Sequence, residues 1–174
     1  MEAHAQLAGR GRQVKGGIVA GLVGGLFLSA MMTVMALAQH GDVWVGFKGA
    51  GRPFLGERMI QPGFDAAAVL VGFASHLAVS ATWGLLFGLL FYGWSKGMTV
   101  VFGALWGIVV WLGMYYVVLP LVGLASVARS VPIGAAIFFH VLFGLVVGIA
   151  FLPFQREARL RTRPLDRDVP ATPR

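Results

Sequence analysis

Cysteine is absent from this 174-residue chain, which excludes a disulfide framework, a thiolate zinc or iron–sulfur site and a cysteine nucleophile. Charge is scarce too. Only 12% of residues are Asp, Glu, Lys or Arg, about half the roughly 25% that clothes a soluble domain. With 57% hydrophobic residues and a mean hydropathy of +0.79, the chain cannot be an ordinary water-soluble globule. Acidic residues are rarest, 7 against 14 basic ones. Neither sign occurs in 16–39, 66–95, 97–128 or 130–155.

Those charge-free windows set the fold class. A hydrocarbon core about 30 Å thick takes about 20 apolar residues to cross as a helix. Lipid satisfies no free backbone group, so such segments must be helical. The expectation is an all-α membrane protein with four transmembrane helices, near 16–39, 66–93, 98–121 and 131–153. Residues 1–15 form an N-terminal segment, 40–65 an outer loop, and the Arg- and Pro-bearing stretch 154–174 a disordered basic tail. The stretch ending in Ala36-Leu37-Ala38 imitates a signal cleavage site, but it exceeds a usual h-region and is read as a span.

With four crossings the termini share a side. That side carries 10 basic residues, from Arg10 to Arg174, against 4 on the other: Lys48, Arg52, Arg58 and Arg129. Positive charge favours the cytoplasm, so both termini are expected inside. The pI of 10.9 then reflects topology and contact with anionic lipid, with no folded basic surface for nucleic acid. In the outer loop, Pro53 and the spacing of Leu55, Met59 and Ile60 suggest a short interfacial helix, or else a plain loop. Asp65 is placed to cap the second span, and Trp44 and Trp94 sit at interfacial positions.

Glycine is plentiful, at 25 residues, and patterned. Gly17, Gly21 and Gly25, then Gly84 and Gly88, Gly103 and Gly107, and Gly144 and Gly148 recur every four residues, giving each span a flat stripe for close helix packing or subunit contact. The second span reads Gly72, His76, Ser80, Gly84. The fourth reads Ala136, His140, Gly144, Gly148, at a constant offset of 64 residues. Gly21 and Gly25 match Gly103 and Gly107 at an offset of 82. Two tandem helical hairpins, the first with a longer loop, account for both offsets.

His76 and His140 are the strongly polar titratable groups deep in the spans, and intramembrane ionisable residues default to a functional hypothesis. In one reading each ring is neutral and hydrogen-bonded, to Ser75, Ser80, Tyr115 or Tyr116. In another the two are axial ligands of haem b, with small neighbours leaving room for the macrocycle. A third is a proton or metal path, weakened because no span carries Asp or Glu, so no metal site is expected there. Met31, Met32 and Met35 near His40 offer soft ligands to Cu(I), or simply fill space. No Ser–His–Asp set, carboxylate pair or phosphate loop assembles at one depth, so no enzyme is expected.

The run Gly72-Phe73-Ala74-Ser75-His76 leading to Gly84-Leu85-Leu86-Phe87-Gly88, followed by Phe139-His140-Val141-Leu142-Phe143-Gly144, resembles small bacterial inner-membrane proteins of the YagU-like kind. The resemblance implies a bacterial inner-membrane location and transfers no activity. The expected role is an accessory or scaffold subunit associating with other membrane proteins or with itself. The alternatives are a haem b electron-transfer protein and a small carrier or channel working as an oligomer.

Overall fold

A computed structural model describes residues 2–155, and those residues are helical with no strand among them. In chain order the α-helices are α1 (Glu2–His40), α2 (Trp44–Lys48), α3 (Arg52–Leu55) and α4 (Ala66–Phe91). They continue with α5 (Lys96–Gly113), α6 (Leu119–Leu121), α7 (Ala125–Ser130) and α8 (Ile133–Phe151). A π-helical turn, Met114–Val118, joins α5 to α6, so one helical rod runs from Lys96 to Leu121. Four rods are long and apolar enough to cross a membrane: Gly9–Gln39, Ala66–Phe91, Lys96–Leu121 and Ile133–Phe154. Most of the expected basic tail, 156–174, lies outside the described residues.

Two expectations need adjustment. The first helix does not start near residue 16 but at Glu2, because nothing before Lys15 stops it. Gly9 and Gly11 cost about 1 kcal/mol each relative to Ala, which weakens a helix without ending it. In the loop, the helix begun at Arg52-Pro53 ends after four residues. Gly56 turns at φ +54°, which an L side chain rarely adopts. The next turn, Gly56–Ile60, is 3₁₀, and it tucks Met59 inward at 1% exposure while Ile60 stays outside.

Packing joins the rods antiparallel around a ring. Gly17 and Gly21 of α1 meet Gly84, and Gly25 meets Ser80, so α1 and α4 run in opposite senses. Gly103 and Gly107 of α5 meet Gly148 and His140 of α8 in the same way. Gly24 of α1 packs on Phe143 and Val147 of α8, closing the ring on that edge. On the opposite edge α4 and α5 touch through aromatic side chains: Trp83 with Trp106 at 5.9 Å between centroids, Phe91 with Phe102 at 5.5 Å. The apolar core gathers Phe87, Trp106, Phe143, Val147 and Phe151.

Each end of the ring has a polar clasp. At the end holding residues 41–65, called here the loop end, Lys48 is fully buried and its ammonium donates to the carbonyls of Gln61 and Gly63. Asp42 accepts from Trp44 N–H at 2.9 Å and Gly63 N–H at 2.8 Å. Asp65 caps α4 by accepting from Ala68 N–H at 3.1 Å, and pairs with Arg58. At the opposite, tail end, the buried amide of Gln155 accepts from Gly93 N–H at 2.8 Å. It donates to Phe91 O at 2.8 Å and to Thr99 Oγ1 at 2.6 Å. Gln155 therefore fastens the end of α8 to the turn between α4 and α5.

Candidate functional site

The site is positioned by the glycine crossings. A methyl group added to Gly21 would lie 2.9 Å from Gly84 Cα and would overlap Ser80 O. At the other crossing, a methyl group on Gly103 would lie 2.7 Å from Gly144 O and 2.9 Å from Gly148 Cα. Gly103 follows Gly21 by 82 residues, and Gly144 and Gly148 follow Ser80 and Gly84 by 64. The two crossings thus use equivalent residues for equivalent contacts. Van der Waals packing must hold apolar rods together where no hydrophobic force does, and bare backbone permits the closest approach. All eight stripe glycines from Gly21 to Gly148 are occupied in this way within the chain.

Above those crossings, towards the loop end, the rods part around a cavity of about 170 Å³ that both His76 and His140 line. The rings do not point away into lipid, and they share one interior space. The same offsets relate three further pairs of the lining, while Ser80, Trp83, Tyr115 and Leu119 have no such counterpart in it. Leu28 with Val110 and Met32 with Met114 are 82 residues apart. Val79 with Phe143 are 64 apart, as are the histidines.

Both imidazoles bond to backbone carbonyls instead of the hydroxyls expected from the sequence. His76 Nε2 lies 3.2 Å from Gly25 O on α1, and His140 Nδ1 lies 2.7 Å from Ala136 O one turn earlier on α8. A carbonyl only accepts, so each of these nitrogens carries the proton. In the neutral ring this leaves a lone pair on His76 Nδ1 and on His140 Nε2. Ser75 is spent on its own helix, at 2.6 Å from Val71 O. Tyr115 meets His140 edge-on, with ring centroids 5.7 Å apart.

Helix α5 is reshaped where it meets the cavity. Pro120 has no N–H to offer the turn before it. The chain instead bonds Leu119 N–H to Met114 O, five residues back, and the widened turn brings Met114 and Tyr115 both to the cavity wall. Single π turns of this kind are frequent at functional sites. Trp83 Nε1–H donates to Met114 Sδ at 3.3 Å and orients the thioether.

A second cavity, about 520 Å³, adjoins the first and shares Leu28, Met32, Tyr115 and His140 with it. It extends to Gln39, Gly46, Gly49 and Val131 at the loop end. Met35 lines this second space, and Met32 lines both. The cavity that both rings line is about 170 Å³, against about 300–1,000 Å³ for small-molecule sites, which bears on the haem b reading. His76 Nε2 is also committed to Gly25 O. Among the described residues no group of three or more His, Cys, Asp or Glu comes together. The pairing of Met32 with Met114 was visible in the sequence as the offset already set by the glycines. The buried roles of Lys48 and Gln155 had no signal there.

No protein-family model, curated protein sequence or solved structure matches this chain.

Proposed function

We propose that this chain is a non-enzymatic, multi-pass membrane protein whose bundle interior binds a small solute admitted from the loop end. One observation carries the reading: two adjoining cavities, sharing Leu28, Met32, Tyr115 and His140, lead from Gln39 and Gly49 to the histidine pair. An apolar cavity of about 150 Å³ stays dry. Two imidazoles and a phenol on the wall make this one wettable. On this reading two tandem helical hairpins build the bundle, both termini face the cytoplasm, which the 10-to-4 split of basic residues favours, and the loop end faces outward. The resemblance to YagU-like proteins supports a bacterial inner membrane as its location. Association as an accessory subunit would use faces other than the glycine stripes, which are occupied within the chain.

The natural lack of cysteine makes the test direct. Single variants Met35→Cys and Val79→Cys line the two cavities, whereas Leu105→Cys faces outward at 49% exposure. A water-soluble, membrane-impermeant thiol reagent added outside intact cells should modify the first two and spare the third. Equal inertness of all three would defeat the proposal. Reaction only from the cytoplasmic side would reverse the orientation.

A further inference from the structure

We infer that the histidine cavity is a site for a soft monovalent cation, Cu(I) or Ag(I), held between His76, His140, Met32 and Met114. The inference rests on the small-solute reading and names its solute. All four side chains line the cavity of about 170 Å³, and its lining holds no carboxylate. They form two pairs related by the offsets of the fold, 64 residues for the histidines and 82 for the methionines. Each of the four rods supplies one donor, two imidazoles and two thioethers together.

The chemistry of that set selects the ion. Thioethers are soft donors that favour Cu(I), and imidazole suits copper as well. Magnesium, calcium and manganese want oxygen ligands, and none is offered by a side-chain carboxylate here. Burial cost rises steeply with charge, and no anion on the wall would compensate a second positive charge. A single charge with four neutral ligands is what this interior can hold.

The surroundings match what metal-ligating histidines require. Such rings almost always donate their second N–H to a carbonyl, a carboxylate or water, which fixes the tautomer. Here Gly25 O and Ala136 O perform that task, at 3.2 Å and 2.7 Å. Each ring keeps one lone pair for an ion. Met114 Sδ has two lone pairs, of which Trp83 N–H takes one.

The test uses the purified full chain in detergent under ascorbate, with Cu(I) titrated against a chromophoric Cu(I) chelator. One Cu(I) per chain should be withdrawn from the chelator, and copper-edge X-ray absorption should show both nitrogen and sulfur neighbours. Met32→Leu and Met114→Leu are near-isosteric changes, costing under about 1.5 kcal/mol in stability. Each should keep the fold, halve the sulfur contribution to the absorption spectrum and weaken Cu(I) binding by about tenfold or more. His76→Gln and His140→Gln should weaken it at least as much. If the chelator keeps all the Cu(I) while Val79→Cys still reacts from outside, the metal site is overturned and the small-solute reading stands. If the chelator keeps all the Cu(I) and Val79→Cys is inert as well, both fall. Undiminished binding in both Met→Leu variants, or a sulfur-free spectrum in the parent chain, would also overturn the site.

Discussion

Gly84 lies against Gly21 so closely that a methyl group on either would overlap the other's backbone. The crossing of α1 and α4 is therefore set by two missing side chains. Gly84→Val forces the rods apart and should cost about 1–3 kcal/mol, the usual range for overpacking. Gly97→Ala is the control: a methyl group there meets nothing within 4 Å, and stability should hold or rise slightly. Reversible unfolding in mixed micelles would measure both. Equal effects would mean that the close approach contributes nothing.

Asp65 gives the loop end a pH dependence of known sign. The Arg58 guanidinium and the Ala68 N–H hold its carboxyl down at about 2, from an ordinary 3.8. The folded chain thus binds this proton less readily than the unfolded chain. The resulting stabilisation is complete above about pH 4 and is lost as pH falls towards 2. Asp65→Asn keeps a good helix cap but removes the ion pair. The thermal midpoints of parent and variant should differ at neutral pH and converge between pH 4 and 2. A gap that persists at pH 2 would assign the difference to something other than this charge.

Lysine reactivity reports the loop fold. The chain has three lysines: Lys15 and Lys96 are exposed, and Lys48 is fully buried under the carbonyls of Gln61 and Gly63. Brief acylation with an amine-reactive ester, read by mass spectrometry, should mark Lys15 and Lys96 and spare Lys48. Prompt modification of Lys48 would mean that the loop does not close over it.

Gln155 is the corresponding fastener at the tail end. Gln155→Leu keeps the bulk but leaves the Gly93 N–H and the Thr99 hydroxyl without this partner. Stranding such groups costs about 1–3 kcal/mol. The variant should unfold earlier by that amount in micelles, while labelling of Met35→Cys from the loop end stays unchanged.

The haem reading meets a plain optical test. Protein purified from haem-replete cells should show no Soret band, given the volume of about 170 Å³ in the cavity that both rings line and the commitment of His76 Nε2 to Gly25 O. A Soret band abolished by His76→Ala or His140→Ala would reinstate haem and displace the soft-metal site.

Composition and spacing made the rods legible, because hydrocarbon permits so few solutions. Charge-free windows located all four, and the glycine period predicted their flat faces. The 64-residue offset placed His76 beside His140 in effect, since equivalent residues on parallel rods share a depth. The loop was less readable. Its path depends on Gly56 adopting a positive φ and on Lys48 finding two carbonyls at Gln61 and Gly63, neither of which any periodicity encodes. The partners of the histidines were misjudged for a related reason. Hydroxyls stand out in a sequence, whereas every residue has a carbonyl, and only packing decides which one a ring can reach. The π turn was likewise hidden, although Pro120 marks where it had to fall.

The ring of rods is not equally firm all round. Gly24 lets α1 seat directly on Phe143 and Val147, while its counterpart 82 residues later is Trp106, whose indole props α5 away from Trp83. One seam of the ring is zipped by glycine and the other buttressed by indole. Breathing of the bundle should therefore concentrate at the buttressed seam, with the zipped one acting as its hinge.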